Sequence, residues 1–338
     1  MNSTQTVIVT GGNTGLGYAC VRELASAHAD WSVVIASRNQ QASQVAQQAA
    51  AETGNTNIRA MPLDLASLAS VRAFASELAT SDLPPLYGLV CNAGIQIVSG
   101  TSYTAVVFET CFGVNHLGHF LLINLLLPQM RQPGRIVIVG SGTHDPADPI
   151  AKMIGGYAPR FRDAAELAFP ERFPDPAERG ESTVLTGRHR YGTSKLCNLL
   201  CGYELDRRLK AADISITVNM FDPGLMPGTN LAREADAFTR FAWNRLLPLL
   251  GDRAPGISRV ATSGRNLARL IDAPAFADLS GAYIAGQRPI ASSAESRDLS
   301  KARQLWQGSA ELVGLGANQT GLRGEPRGID KERVTITG

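Results

Sequence analysis

The segment Thr6-Val-Ile-Val-Thr-Gly-Gly-Asn-Thr-Gly-Leu-Gly17 sets a strand directly against a glycine-rich turn and then a helix. Its β-branched run reads as a buried strand, and Gly11, Gly15 and Gly17 punctuate the turn that follows. Without a Cβ, the chain there turns tightly and brings backbone N–H groups up to a pyrophosphate. The positive end of the helix dipole faces the same anion. Asn13, Thr14 and Leu16 belong to the same candidate cofactor-binding loop. The spacing differs from the G-x-G-x-x-G fingerprint, so the loop gains its meaning from its place in the chain.

That place is the start of a strand–helix alternation. Strands are expected at Val7–Thr10, Ser32–Ala36, Ile58–Leu63, Leu86–Cys91, Arg135–Gly140, Ile214–Met220 and Gly281–Ala285. Amphipathic stretches such as Gly15–Ala27, Gln40–Ala51 and Leu68–Ala79 lie between them. Near-continuous apolar strands alternating with helices imply a parallel sheet covered on both faces. The expected fold is α/β: a single doubly wound domain over residues 1–315, with a parallel seven-stranded sheet and helices on both faces. Two excursions interrupt it. Residues 142–189 are rich in Pro, Arg and Asp and are expected to run irregularly over the surface. Residues 224–255 carry Phe238, Phe241, Trp243 and several leucines, and are expected to form a substrate lid. The tail, 316–338, is polar and glycine-rich, as disordered segments are.

The second strand bears on the cofactor. NAD-selective sites place a carboxylate about 20 positions past the glycines to bond the ribose hydroxyls. Here that strand ends Ala36-Ser37-Arg38-Asn39, without a carboxylate. The forked guanidinium of Arg38 suits a 2′-phosphate and Ser37 adds a hydroxyl, so NADP(H) is expected.

Tyr191-Gly-Thr-Ser-Lys195 places a phenol and an ammonium one helical turn apart. A free phenol titrates at about 10, and a nearby ammonium stabilises the phenolate. The pair therefore suits proton transfer. Lysine is scarce in this chain, five residues against 27 arginines, which makes its place at this offset notable.

Bulk properties exclude other classes. With 44% apolar and 18% charged residues and a net charge of +2, the 338-residue chain reads as globular, with no basic block for nucleic acid. Five cysteines form no paired framework and no zinc spacing, which fits a reducing compartment and no metal. The first strand arrives too early for a signal peptide, and no uninterrupted apolar run reaches the roughly 18 residues of a membrane span. A cytoplasmic location is expected. His116, His119, His144 and His189 are expected to be structural, and Cys197 to be packed inside a helix interface.

The full set of motifs resembles the short-chain dehydrogenase/reductase superfamily. Those motifs are Thr10-Gly-x-x-x-Gly-x-Gly17, Asp64-Leu65, Asn92-Ala-Gly94, Asn115, Ser141, Tyr191-x-x-x-Lys195 and Pro223-Gly224, in order. Gly113-Val-Asn-His-Leu-Gly-His-Phe120 and Ser194-Lys-Leu-Cys-Asn198 resemble more closely the branch of retinol-dehydrogenase-like enzymes and light-dependent protochlorophyllide reductases.

The resemblance implies that Asp64, with Leu65, meets the adenine, and that Asn92, Ala93 and Gly94 line its ribose. It further implies that Asn115 holds a helix kink and a relay water, Ser141 polarises a carbonyl, and Tyr191 moves the proton. Lys195 would bind the nicotinamide ribose, and Pro223 and Gly224 would flank the nicotinamide. Thr229 stands where a threonine contact to the nicotinamide amide is expected, but after an inserted-looking Met226-Pro-Gly228. The serine-to-tyrosine gap is also far longer than is usual. In related carbonyl reductases an insertion there covers the association surface, so a monomer is expected.

The function expected is hydride transfer between NADP(H) and a carbonyl or secondary alcohol of a hydrophobic substrate, with Tyr191 as acid or base. One alternative is light-dependent protochlorophyllide reduction. Another, of a different class, is a catalytically silent NADP-sensing protein.

Overall fold

The computed structural model describes residues 3–38, 41–97, 100–153, 157–226 and 256–316, with 319, 320 and 322. Seven strands run in parallel: β1 (Gln5–Thr10), β2 (Trp31–Ser37), β3 (Ile58–Pro62), β4 (Leu86–Cys91), β5 (Met130–Val139), β6 (Ile216–Asp222) and β7 (Ala282–Ala285). An eighth, β8 (Arg288–Ile290), pairs antiparallel with β7 and gives the order β3-β2-β1-β4-β5-β6-β7-β8. The expected sheet had seven strands. The eighth is three exposed residues with a central proline, a pattern that edge strands tolerate and that hydrophobic periodicity does not reveal.

Helices cover both faces: α1 (Gly15–Ala27), α2 (Ala42–Thr53), α3 (Leu68–Thr80), α4 (Thr110–Phe112), α5 (His119–Leu126), α6 (Pro149–Met153), α7 (Ala164–Ala168), α8 (Thr183–Ala211), α9 (Val260–Asp272) and α10 (Leu299–Leu312). Alternation along β1 shows the two-sided core. Val7 and Val9 pack with Val21, Leu24 and Leu267 on the α1/α9 face, whereas Ile8 packs with Phe74, Leu117 and Phe120 on the other. The helical stretch Thr110–Gln129 is long and apolar enough to cross a membrane by composition, but 89% of its most apolar window is buried inside the protein. It is the core helix of the α3/α8 face.

Order of the sheet places the site. The chain reverses direction across the sheet between β1 and β4, so the β1–α1 turn and the end of β4 face one crevice at the carboxyl edge. The excursion expected as irregular surface chain, 142–189, differs from that picture. It holds α6, α7 and the first turns of α8, and Tyr157, Ala164 and Ala168 are buried. Its prolines fall at or outside helix starts, where no N–H is lost. Of the other excursion, Leu225 and Ile257 pair as a parallel bridge, and Leu225 N–H donates to Gly256 O at 2.8 Å. Residues 227–255, with the expected lid's Phe238, Phe241 and Trp243, lie outside the described residues, as does most of the tail beyond 316.

Candidate active site

Thr10, the last residue of β1, ties the glycine turn to the end of β4. Its hydroxyl accepts from the Asn92 and Ala93 N–H groups at 2.9 Å each, and Asn92 Nδ2 donates to Thr10 O at 2.8 Å. Gly11 has φ +64°, and a Cβ at Gly17 would lie 2.4 Å from Gly11 O and 2.5 Å from Asn92 Nδ2. No side chain larger than hydrogen fits at Gly17 while the turn keeps this shape. Thr14 caps α1 without a side-chain hydrogen bond, and the first turn carries no acidic residue. Among the described residues no acidic side chain or N-cap hydroxyl accepts from the leading N–H groups of α1, which suits an anion site. Asn13 and the exposed Thr14 and Gly15 line this opening, while Leu16 is buried beneath it.

Gly11 N–H also donates to Ala36 O, which sets the glycine turn beside the end of β2. Ser37 is buried there and Arg38 is exposed just beyond it. Asp64 follows β3; its Oδ1 accepts from Ala66 N–H at 3.1 Å, and Leu65 is buried in the core. Gly94 is exposed, and a Cβ on it would meet Asn115 Oδ1 at 3.4 Å and Lys195 Nζ at 3.6 Å. Glycine thus leaves open the space between the cofactor turn and the lysine. An uncapped helix start, an open floor at Gly94 and a cation at each end make a seat that fits a dinucleotide.

Asn115 lies in a π-helical segment, Gly113–Gly118, between α4 and α5. The widened turn lets its side chain clamp Ile95: Ile95 N–H donates to Oδ1 at 2.8 Å, and Nδ2 donates to Ile95 O at 2.9 Å. Nδ2 also donates to Ser194 Oγ at 2.9 Å, and Ser194 Oγ donates to Tyr191 O at 2.7 Å. Where the resemblance implies a kink, the helix widens into a π turn, and the Asn115 side chain bonds α8 through Ser194. The Asn115 carbonyl accepts from His119.

Tyr191 and Lys195 lie in the third and fourth turns of α8. Lys195 is buried, its Nζ donates to Val139 O at 3.1 Å, and it stands 5.7 Å from the centre of the Tyr191 ring. Burial pulls the ammonium down to about 8, against the opposing influence of Cys111 and Asp222. Burial pushes the Tyr191 phenol above its ordinary value, and Tyr157, Cys111 and Asp222 add to the rise. A hydrogen bond with Ser141 acts the other way. The expectation that the ammonium lowers the phenol thus meets a larger effect, desolvation.

Ser141 follows β5. Its Oγ accepts from Thr143 N–H at 3.2 Å and from Thr143 Oγ1 at 3.0 Å. With both lone pairs taken, the serine proton is left to donate outward, toward Tyr191 or a ligand oxygen. The loop lies against α8 at Gly192, where a Cβ would meet Thr143 O at 2.9 Å. Pro223 and Gly224 leave the end of β6; Gly224 N–H donates to Asp222 Oδ1 and Ser263 Oγ donates to Pro223 O. Thr229 lies outside the described residues.

Tyr157 was not legible in advance. It comes from the excursion, sits edge-on to Tyr191 with ring centres 6.0 Å apart, and accepts from Gln96 Nε2 at 2.7 Å. No periodicity marks it, because its contacts are all distant in sequence. Of the histidines, His116 bonds Ser309 Oγ on α10 at 2.8 Å, His144 bonds Ser141 O at 2.7 Å and His189 bonds Ala158 O at 2.7 Å. Cys197 is fully buried in helix packing, as expected, and burial pushes its thiol up.

Known proteins resemble this chain in sequence and fold. The short chain dehydrogenase family model matches residues 5–150, and the AcuH dehydrogenase domain model matches residues 228–322. The chain is 34% identical to the protochlorophyllide reductase of Avena sativa, over 91% of this chain and 99% of that protein. Its fold resembles the crystal structure of an uncharacterised protein from Mycobacterium paratuberculosis, with TM-score 0.64, 27% identity and coverage of 92% and 94%. It also resembles a blue fluorescent protein from a metagenomic library in complex with NADPH, with TM-score 0.57, 24% identity and coverage of 85% and 98%.

Proposed function

This chain belongs to the short-chain dehydrogenase/reductase superfamily, in the branch of the protochlorophyllide reductases, and on that premise we propose an NADP(H)-dependent oxidoreductase acting on the carbonyl or secondary alcohol of a hydrophobic substrate. The observation that carries the reading is the convergence of Ser141, Tyr191 and Lys195 beside the open floor at Gly94.

NADPH, when bound, supplies the hydride and NADP+ accepts it. The N–H groups at the start of α1 would hold the pyrophosphate, Arg38 the 2′-phosphate, and Lys195 a ribose hydroxyl through its two further donors. Ser141 turns its free proton to the substrate oxygen, so charge developing there meets a donor already in place. Tyr191 passes its phenolic proton to that same oxygen. A phenol raised by burial is fully protonated at neutral pH, and so is ready as an acid in the reducing direction. Gly256, just past the second excursion, lies against the first, where a Cβ would touch Ile150 at 2.7 Å. The apolar residues of 227–255 favour a bulky hydrophobic substrate.

The test is a panel of aldehydes and ketones followed by NADPH oxidation, with and without bulky apolar groups. A second reading, photoreduction of protochlorophyllide, is favoured by the 34% identity to a reductase of that pigment. Illuminating the protein with NADPH and protochlorophyllide, and following the product's absorption, separates the two. Tight NADPH binding without turnover in either assay would instead favour a silent sensor.

The protein is also proposed to be a monomer. The proposal rests on the 142–189 insertion, and α10 also packs against part of α5 and α8, the helices through which many members of the superfamily associate. Phe120 meets Trp306 edge-on at 4.9 Å, and Arg208 lies over the same indole at 4.8 Å. A tetramer mass by light scattering at micromolar concentration overturns this.

A further inference from the structure

His119 occupies the first turn after the π segment and is buried between the two halves of the site. Its Nε2 stands 2.9 Å from Thr10 Oγ1 and its Nδ1 stands 3.1 Å from Asn115 O. Hydrogen-bond counting settles which nitrogen carries the proton. A hydroxyl has two lone pairs and one proton. Both lone pairs of Thr10 are taken, by Asn92 N–H and Ala93 N–H. Its proton has two acceptors in reach, Val90 O at 3.3 Å and the nearer Nε2. Nε2 is therefore the acceptor, and the ring proton sits on Nδ1, from which it donates to Asn115 O. A second ring proton would face an oxygen with no lone pair to spare. Consistently, burial pulls the imidazole down to about 4, with the Lys195 charge acting in the same direction and the Asn115 hydrogen bond against it.

We propose that His119 is a positioning residue whose neutral imidazole couples the cofactor seat, through Thr10, to the catalytic helix, through Asn115 and Ser194. The chain of bonds runs from Asn92 and Ala93 N–H to Thr10, to His119, to Asn115 and on by Ser194 to the backbone of Tyr191. It crosses the site beneath Gly94 and fixes the distance between the cofactor turn and the acid. A dinucleotide seated on that turn thus meets Tyr191 in one geometry. The proposal rests on the reading that NADP(H) sits on the glycine turn and Tyr191 is the acid.

The experiment compares His119→Phe and His119→Gln in the full chain, with NADPH as the binding probe and the best carbonyl of the panel as substrate. Phenylalanine keeps the ring but removes both bonds. Glutamine offers an oxygen to Thr10 but no donor in the place of Nδ1. A bond of about 1 kcal/mol corresponds to roughly fivefold. His119→Phe should weaken NADPH binding about fivefold and lower kcat about fivefold or more. His119→Gln should bring NADPH affinity back to within about twofold of wild type while kcat stays low. Should His119→Phe fail to fold, the split between affinity and kcat in His119→Gln decides alone. Equal losses of both in His119→Gln, in step with its melting temperature, make His119 merely structural and overturn the proposal. So does unchanged NADPH affinity and kcat in His119→Phe. Wild-type protein that does not bind NADPH overturns the functional reading and this proposal with it.

Discussion

Around the glycine turn, the chain is held by short links that each involve a main-chain atom on at least one side. Gly11 bonds Ala36, Thr10 bonds Asn92, and Gly17 leaves no room for a methyl group. Around Tyr191, side chains from separate segments do the holding instead. Arg160 pairs with Glu181, Arg190 with Glu178, and Arg160 N–H donates to Thr193 Oγ1, binding the excursion to the first turns of α8. The cofactor side is a rigid cradle with little tolerance for volume. The side proposed to face the substrate is a wall built from side chains of separate segments. Cofactor choice should therefore depend on few residues and substrate choice on many.

The sharpest way to break this division is at the acid. Tyr191→Phe should lower kcat by about 10²–10⁴-fold, the usual range for a general acid, with NADPH affinity nearly intact. Retention of more than about a tenth of the activity by this variant would mean that another group supplies the proton.

Next in size is the cradle's selectivity. Arg38→Asp exchanges a 2′-phosphate partner for a ribose acceptor and should move preference toward NADH by roughly thirtyfold, about 2 kcal/mol. Steady-state kinetics with both cofactors read this directly, and a wild-type preference for NADH refutes the assignment before any variant is made.

Lys195 belongs to both halves, and its titration shows which one limits. Its free-enzyme value is lowered to about 8, so the ammonium is present below that pH and lost as pH rises through it. kcat/KM for reduction should fall by about tenfold per pH unit above that point, since this ratio reports groups of the free enzyme. A profile flat to pH 10 assigns ribose binding to a group other than this ammonium.

The smallest effect tests the wall. Tyr157→Phe removes the acceptor for Gln96 and keeps the ring against Tyr191. With about 1 kcal/mol at stake, KM for a bulky ketone should rise roughly fivefold while NADPH affinity stays unchanged. A change in NADPH affinity of the same size would merge the two regions into one.

Seven strands, the glycine turn and the Tyr191–Lys195 pair were legible in the sequence alone because each depends on neighbours in the chain. A strand needs its own apolar run, a turn its own glycine, and a helical pair its own spacing. What the tertiary structure decided lies between distant segments. Tyr157 reaches Tyr191 from 34 residues away by folding of the excursion, and His119 reaches Thr10 from 109 residues away. The direction of the Tyr191 shift was likewise beyond the sequence. Spacing shows that an ammonium is near, but only the packed surroundings show how much water the phenol has lost, and here that loss is the larger effect.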